Sequence, residues 1–251
     1  MTLEQFFKEV PKAAVAFSGG TDSAFLLWAA GKYGCEIRAY YVNTVFQPAF
    51  ELEDAVRITE ELRVPMTVVE TDILAVPEVE ENGSGRCYYC KRALFTALWK
   101  QAKEDGYQIL LDGTNASDDA GDRPGMRALR ELEVRSPLRE CGITKAQVRR
   151  MSREAGLFTW EKPAYACLAT RVPEGTKIGE EELRKVERAE NSLAGLGFTD
   201  FRVRLLERNA RIQVTESQMP LVMEKKEEIL RLLKPLFPAV MLDLNARQES
   251  Q

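Results

Sequence analysis

The run AAVAF (13–17) is short and wholly apolar, and it leads directly into Ser18-Gly19-Gly20-Thr21-Asp22-Ser23 and then the apolar stretch AFLLWAA (24–30). A run without polar alternation suits a strand buried on both faces, the kind found in parallel sheets covered by helices. The same arrangement recurs. Strands are predicted at 37–44 (IRAYYVNT) and 65–70 (PMTVVE), and a helix at 51–62 with Leu52, Ala55, Val56 and Ile58 on one side. Alternating strands and helices define an α/β unit with a parallel sheet.

Further along, the spacing of Leu94, Phe95, Leu98 and Trp99 predicts a helix over 92–103, and QILL (108–111) a strand. Residues 116–125, rich in Asp and Gly, read as a long functional loop. Thr144-Lys145-Ala146-Gln147 spells a capping box that opens a helix ending near Gly156. After Cys167 the pattern changes to a helix at 180–196, a hairpin of 202–206 and 211–214, a helix at 221–233 and a last strand at 239–244. The Pro- and Gly-containing stretch 172–179 marks a boundary between a domain of residues 1–175 and a smaller α+β domain of residues 176–251.

The chain has 251 residues, 45% hydrophobic and 29% charged, which excludes disordered and collagen-like readings. No apolar run reaches the roughly 18 residues that a membrane-spanning helix needs, and the N-terminal stretch lacks the pattern of a secretory signal, so a cytoplasmic protein with no membrane partner is expected. Net charge is 35 − 39 = −4, which argues against broad nucleic-acid binding. Histidine is absent, which excludes Ser-His and Cys-His nucleophile pairs and every His-containing zinc site. Five cysteines in a cytoplasmic chain are expected to be reduced thiols, catalytic thiols or metal ligands.

Between a buried strand and a helix, two glycines let backbone approach an anion, and the helix start offers amides and a positive dipole end. Ser18, Thr21 and Ser23 add hydroxyl donors, and Asp22 could hold Mg²⁺ or a loop amide. The spelling is neither a Walker A loop nor the GxGxxG fingerprint. It resembles the pyrophosphate loop, SGGxDS, of the PP-loop ATP pyrophosphatases. That resemblance implies a Rossmann-like sheet of the adenine nucleotide alpha hydrolase type and cleavage of ATP to AMP and pyrophosphate.

Cys87-Tyr88-Tyr89-Cys90 precedes the helix predicted at 92–103, and the helix dipole with Arg86, Lys91 and Arg92 favours thiolate there. Cys167 stands far along the chain in ACLATR (166–171). Without histidine, a structural zinc site would have to recruit Cys35 or Cys141, both of which read as plain buried thiols. Three cysteines also suit an iron–sulfur cluster with one iron left open.

Taken together, residues 13–23, GRCYYCKRALF (85–95), LDGTNASDD (111–119), RPGMRA (123–128), SPL (136–138) and ACLATRVPEGTKI (166–178) resemble the LarE family. These are ATP-dependent sulfur transferases of nickel-pincer nucleotide cofactor biosynthesis. The resemblance implies an essential cysteine at Cys167. It further implies that Cys87, Cys90 and Cys167 hold a [4Fe-4S] cluster whose open iron carries an additional, transferable sulfide. It implies a pyridinium mononucleotide substrate with two ring carboxylates, and a homo-oligomer of up to six copies. Arg202 and Arg204, alternating with Val203 on a strand, would meet the substrate phosphate, with Arg171 a second anion binder and Glu190 a polar contact. Asp118, Asp119, Asp122 and Arg123 would order the active-site loop or bind Mg²⁺. The chain departs from the family where Leu205-Leu206 stand in place of a common His pair, and LDLNARQESQ (242–251) shares only LDL with the usual ending.

This chemistry closes without histidine. A carboxylate with a pKa near about 4 is already ionised and needs no general base, and sulfide or thiolate is already anionic. Two rivals stay open: a tRNA thiolase of the same superfamily with a three-cysteine cluster, and a non-catalytic nucleotide-binding or metal-delivery module.

Overall fold

The computed structural model describes residues 1–118, 124–163 and 165–248. The chain begins with helix α1 (Leu3–Glu9), which Thr2 and Gln5 close with a capping box. Strand β1 (Lys12–Ala16), helix α2 (Thr21–Lys32), β2 (Glu36–Asn43), α3 (Ala49–Leu62) and β3 (Met66–Glu70) follow. A short helix α4 (Pro77–Glu80) comes next, then the long helix α5 (Arg86–Glu104) and β4 (Leu110–Leu111). Helices α6 (Pro124–Glu131), α7 (Pro137–Glu140) and α8 (Lys145–Glu154) complete this part of the chain.

The four strands form an all-parallel sheet in the order β3-β2-β1-β4. Ala13, Ala14 and Val15 of β1 are all fully buried, because helices cover both faces. Ala13, Val15, Ala39 and Tyr41 pack with α1, α2 and α8, whereas Ala14 and Tyr40 pack with Leu98 and Ala102 of α5 on the other side. This is the three-layer α/β sandwich that the strand–helix alternation predicts. The order reverses beside β1, with β2 on one flank and β4 on the other. Open parallel sheets bind ligands at the carboxyl edge of such a switch point.

The chain divides into two compact units. One comprises residues 1–76 and 85–162; the other comprises residues 77–84 and 163–251, of which 164 and 249–251 are not described. The division after Lys162 thus precedes the stretch 172–179 read as a boundary, and a short segment from earlier in the chain joins the later unit. Asn82 explains that assignment. Its backbone takes a positive φ of 57°, and its buried amide donates to the carbonyls of Pro173 and Thr176 at 2.8 and 3.0 Å.

In this second unit, α9 (Glu180–Gly195) opens with Glu180, Glu181 and Glu182 at its positive dipole end. It packs on a sheet of order β5-β6-β7, formed by β5 (Arg202–Leu206), β6 (Asn209–Gln213) and β7 (Val240–Leu242). The hairpin is antiparallel and β7 joins β6 in parallel. The single helix expected at 221–233 is two, α10 (Met219–Glu224) and α11 (Lys226–Leu233), because Lys225 ends one and caps the next with φ −91° and ψ 11°. Among the described residues no helix is long and apolar enough to cross a membrane.

Candidate active site

Residues 18–23 lie where expected, at the end of β1 and the first turn of α2. Gly19 takes φ +69°, and a Cβ there would sit 2.9 Å from the Glu51 carbonyl. Gly20 is the N-cap and, among the described residues, no side chain caps α2, so its first amides face the carboxyl edge of the sheet without a side-chain acceptor there. Ser18 and Ser23 stay close, their hydroxyls 3.2 Å apart. Thr21 differs from expectation: its hydroxyl donates to the Thr159 carbonyl at 2.7 Å and braces the loop from outside.

Around this turn stand residues that the motif alone did not reveal. Lys145, the first residue of α8, bonds the Asp22 carboxylate, and the Asn115 amide donates to the same group at 3.3 Å. Lys162 donates to the Gly19 carbonyl at 3.3 Å and pairs with Asp54 at 2.6 Å. A cation in the first turn of a helix works against the dipole. Lys145 within its capping box was therefore a readable sign of a nearby anion.

Gly113, just after β4, closes the crevice. A Cβ there would meet the Ser23 amide nitrogen at 2.9 Å and the Ser23 Cα at 3.1 Å, both backbone atoms that cannot swing aside. Gly113→Ala should therefore push the loop off the helix start and weaken ATP binding at least tenfold, measured by titration calorimetry, and lower the melting temperature by a few degrees as the overpacked junction shifts. Beside it the buried Asp112 accepts from Ser136 at 2.6 Å and from the Thr114 hydroxyl at 2.5 Å. Burial raises its pKa, and those donors pull it back in part. Asp118 accepts from the backbone N–H of Asn115 at 2.8 Å and so orders this loop. Asp119, Asp122 and Arg123 lie outside the described residues. The expected loop gives way to α6 from Pro124 onward, anchored where Tyr88 donates to Glu131 at 2.6 Å.

Next to the turn, a slot of about 160 Å³ lies between the ends of β1 and β2 and helix α5. Phe17, Val42 and Phe95 give it apolar walls, and Gln47 and Glu51 give it polar edges. The buried Tyr41 hydroxyl, which has no hydrogen-bond partner among the described residues, borders the same slot. A flat heterocycle with exocyclic polar groups suits such walls.

Cys87 and Cys90 lie inside the first turns of α5 rather than before it, because Gly85 caps the helix and its carbonyl accepts from the Tyr88 amide at 3.0 Å. A spacing of three puts both thiols on one helical face. Cys87 is exposed, and the Arg86 guanidinium lies 3.8 Å from its sulfur. Burial instead pushes the Cys35 thiol up to about 11. A neutral alkylating reagent at pH 8 should thus modify Cys87 within minutes and spare Cys35 until the protein is unfolded, as peptide mass mapping would show.

The second unit carries Cys167, at the N-cap of the 3₁₀ turn Leu168–Arg171. Arg171 is fully buried and its fork is occupied: Nε and Nη2 donate to Glu190 at 2.9 and 3.0 Å, and Nη1 donates to the Ala166 carbonyl at 2.7 Å. In this state it is a brace, in contrast to the anion binder that the sequence suggested. Arg202 is buried with its guanidinium 5.1 Å from the centre of the Tyr165 ring. Arg204 donates to Gln213 at 2.7 Å and to the Thr170 carbonyl. Burial first, then the charges of Arg171 and Arg247, lower the pKa of Arg202 and of Arg204. Crowded cations of this kind are relieved by an anionic ligand.

Among the described residues, no three or more His, Cys, Asp or Glu side chains are grouped as for a metal ion. Mg²⁺ in nucleotide sites asks less of the protein, commonly one or two carboxylates plus phosphate oxygens, which Asp22 fits. Cys87 and Cys90 fit two adjacent thiolate positions, while Cys167 belongs to the other unit.

A parallel sheet with a glycine turn at its switch point, and lysines around that turn, suits a nucleotide-binding domain, and with the SGGTDS spelling and the comparisons that follow its class is that of the PP-loop ATP pyrophosphatases. The family model described as "Queuosine biosynthesis protein QueC" matches residues 12–81. Pyridinium-3,5-bisthiocarboxylic acid mononucleotide synthase of Lactiplantibacillus plantarum is 32% identical over 246 residues, 97% of this chain and 89% of that protein. An uncharacterized protein of Synechocystis is 38% identical over 221 residues, 86% of this chain and 81% of its own. Another, from Methanocaldococcus jannaschii, is 29% identical over 232 residues, covering 92% and 88%. The chain belongs to the LarE family.

Proposed function

We propose that the protein is an ATP-dependent sulfur transferase acting on both carboxylates of pyridinium-3,5-biscarboxylic acid mononucleotide. The observation that carries this reading is the alignment, across nearly the whole chain, with a relative named for synthesis of the bisthiocarboxylic acid. In this reading the slot holds adenine, and the amides of 19–23 with Lys145 hold the phosphates beside Mg²⁺ and Asp22. A substrate carboxylate oxygen attacks the α-phosphorus, pyrophosphate departs, and an acyl-adenylate forms. A sulfur nucleophile then adds to the acyl carbon and AMP leaves, so oxygen departs on AMP and sulfur stays on the product. No step needs a histidine, since each nucleophile is already anionic. Arg202 and Arg204 take the substrate phosphate.

Cys87, Cys90 and Cys167 would hold a [4Fe-4S] cluster, which when bound supplies the transferable sulfide. The test is pyrophosphate release that requires both ATP and the dicarboxylate mononucleotide, with mass analysis of the product. No pyrophosphate above the ATP-only control would sink the reading. An anaerobic preparation without iron or sulfide that still completes several turnovers would refute the cluster alone.

A further inference from the structure

Helix α9 buries a stripe of Leu183, Val186, Ala189 and Leu193, and Glu190 sits on that stripe only 5% exposed. An unpaired carboxylate there would be costly, and a paired one must have its lone pairs filled. Every approach to Glu190 is filled by a donor from a different stretch of the second unit. Arg171 supplies two bonds at 2.9 and 3.0 Å, the Val203 amide one at 2.9 Å, and the Tyr165 hydroxyl one at 2.5 Å. Glu190 therefore ties α9 to β5 and to both flanks of Cys167.

The far side of the Arg171 fork completes the grip. Nη1 donates to the Ala166 carbonyl at 2.7 Å, the Thr170 hydroxyl at 2.8 Å and, at 3.4 Å, the carbonyl of Cys167 itself. The Arg171 guanidinium also lies 4.6 Å from the centre of the Tyr165 ring. The Cys167 backbone is thus held by a cation whose orientation is fixed by one buried carboxylate. From this arrangement we propose that Glu190, acting through Arg171 and Tyr165, is a positioning residue for Cys167 and contacts no substrate. The proposal rests on the reading of Cys167 as the sulfur-handling residue, and it gives Arg171 and Glu190 a task other than ligand contact.

Tyr165→Phe removes one of the four bonds, keeps the ring that the Arg171 and Arg202 guanidinia approach and should leave the fold intact. It should lower kcat for thiocarboxylate formation about tenfold, with KM for ATP and for the mononucleotide unchanged, since only alignment is lost. Glu190→Gln should lower kcat about a hundredfold, and Glu190→Asp should fail to rescue because its shorter arm cannot reach all four donors. Hydrogen exchange, read without any substrate, should show amides 168–172 opening in Tyr165→Phe while those of α9 keep their protection. A raised KM for the mononucleotide with kcat intact would overturn the proposal in favour of direct contact. Unchanged exchange at 168–172 would overturn it as well. Should Cys167→Ser retain sulfur transfer, the reading of Cys167 falls, whereas the exchange result still decides whether Glu190 holds this turn.

Discussion

Lys145→Met is expected to lower kcat/KM for ATP in the pyrophosphate-release assay about a hundredfold, a loss of roughly 2.7 kcal/mol of transition-state stabilisation. The reason is position. The ammonium of Lys145 already bonds Asp22 at the mouth of an uncapped helix, so it stands where the triphosphate would lie. Removing it deletes a cation and also leaves Asp22, a negative charge, facing the nucleotide with only the Asn115 amide as partner among the described contacts. Lys145→Arg should recover part of the loss, because the charge returns with a different donor geometry. A Lys145→Met protein with unaltered kcat/KM would remove Lys145 from the phosphate site.

Cys167→Ser is expected to abolish thiocarboxylate formation while pyrophosphate release continues at a rate within a few-fold of the parent. In the proposed order adenylation would use the nucleotide contacts of the first unit, the substrate's own carboxylate and Arg202 and Arg204, all left in place, whereas a cluster deprived of its third thiolate would no longer present sulfide. The acyl-adenylate would then be lost to water, giving an ATP-consuming futile cycle. Cys87→Ser and Cys90→Ser should behave alike, iron and thiocarboxylate formation vanishing together, since the proposed cluster uses all three thiolates. Coupled loss of pyrophosphate release in Cys167→Ser would mean that Cys167 takes part before the adenylate forms, contrary to the proposed order.

Much of the fold was legible because local sequence sets the burial of β1, where AAVAF has no polar face to turn outward, whereas β3 lies at the sheet edge with Val68 exposed. Helix ends were less legible. Gly85 extends α5 back over the cysteine pair, a capping effect that the apolar spacing of Leu94, Leu98 and Trp99 does not report. Helix α6 was hidden because its partner, α5, is distant in sequence, and Trp99 donates across to the Leu132 carbonyl at 2.8 Å. At the site, the glycine turn could be read directly because its chemistry is in the backbone. Arg171 could not, because nothing in ACLATR tells whether its fork is open or already filled by Glu190, nineteen residues on.

The anchoring of residues 77–84 by Asn82 has a bearing on how the protein is made. Asn82 emerges from the ribosome 91 residues ahead of Pro173, the carbonyl its amide will hold. At about 5–20 residues per second that is a wait of roughly 5–18 s. During it the strands of the nucleotide domain can assemble, while the stretch leading into Cys87 has nowhere to dock. Residues 77–84 thus stay a waiting tether until the later half of the chain is made, and the second unit can close only then.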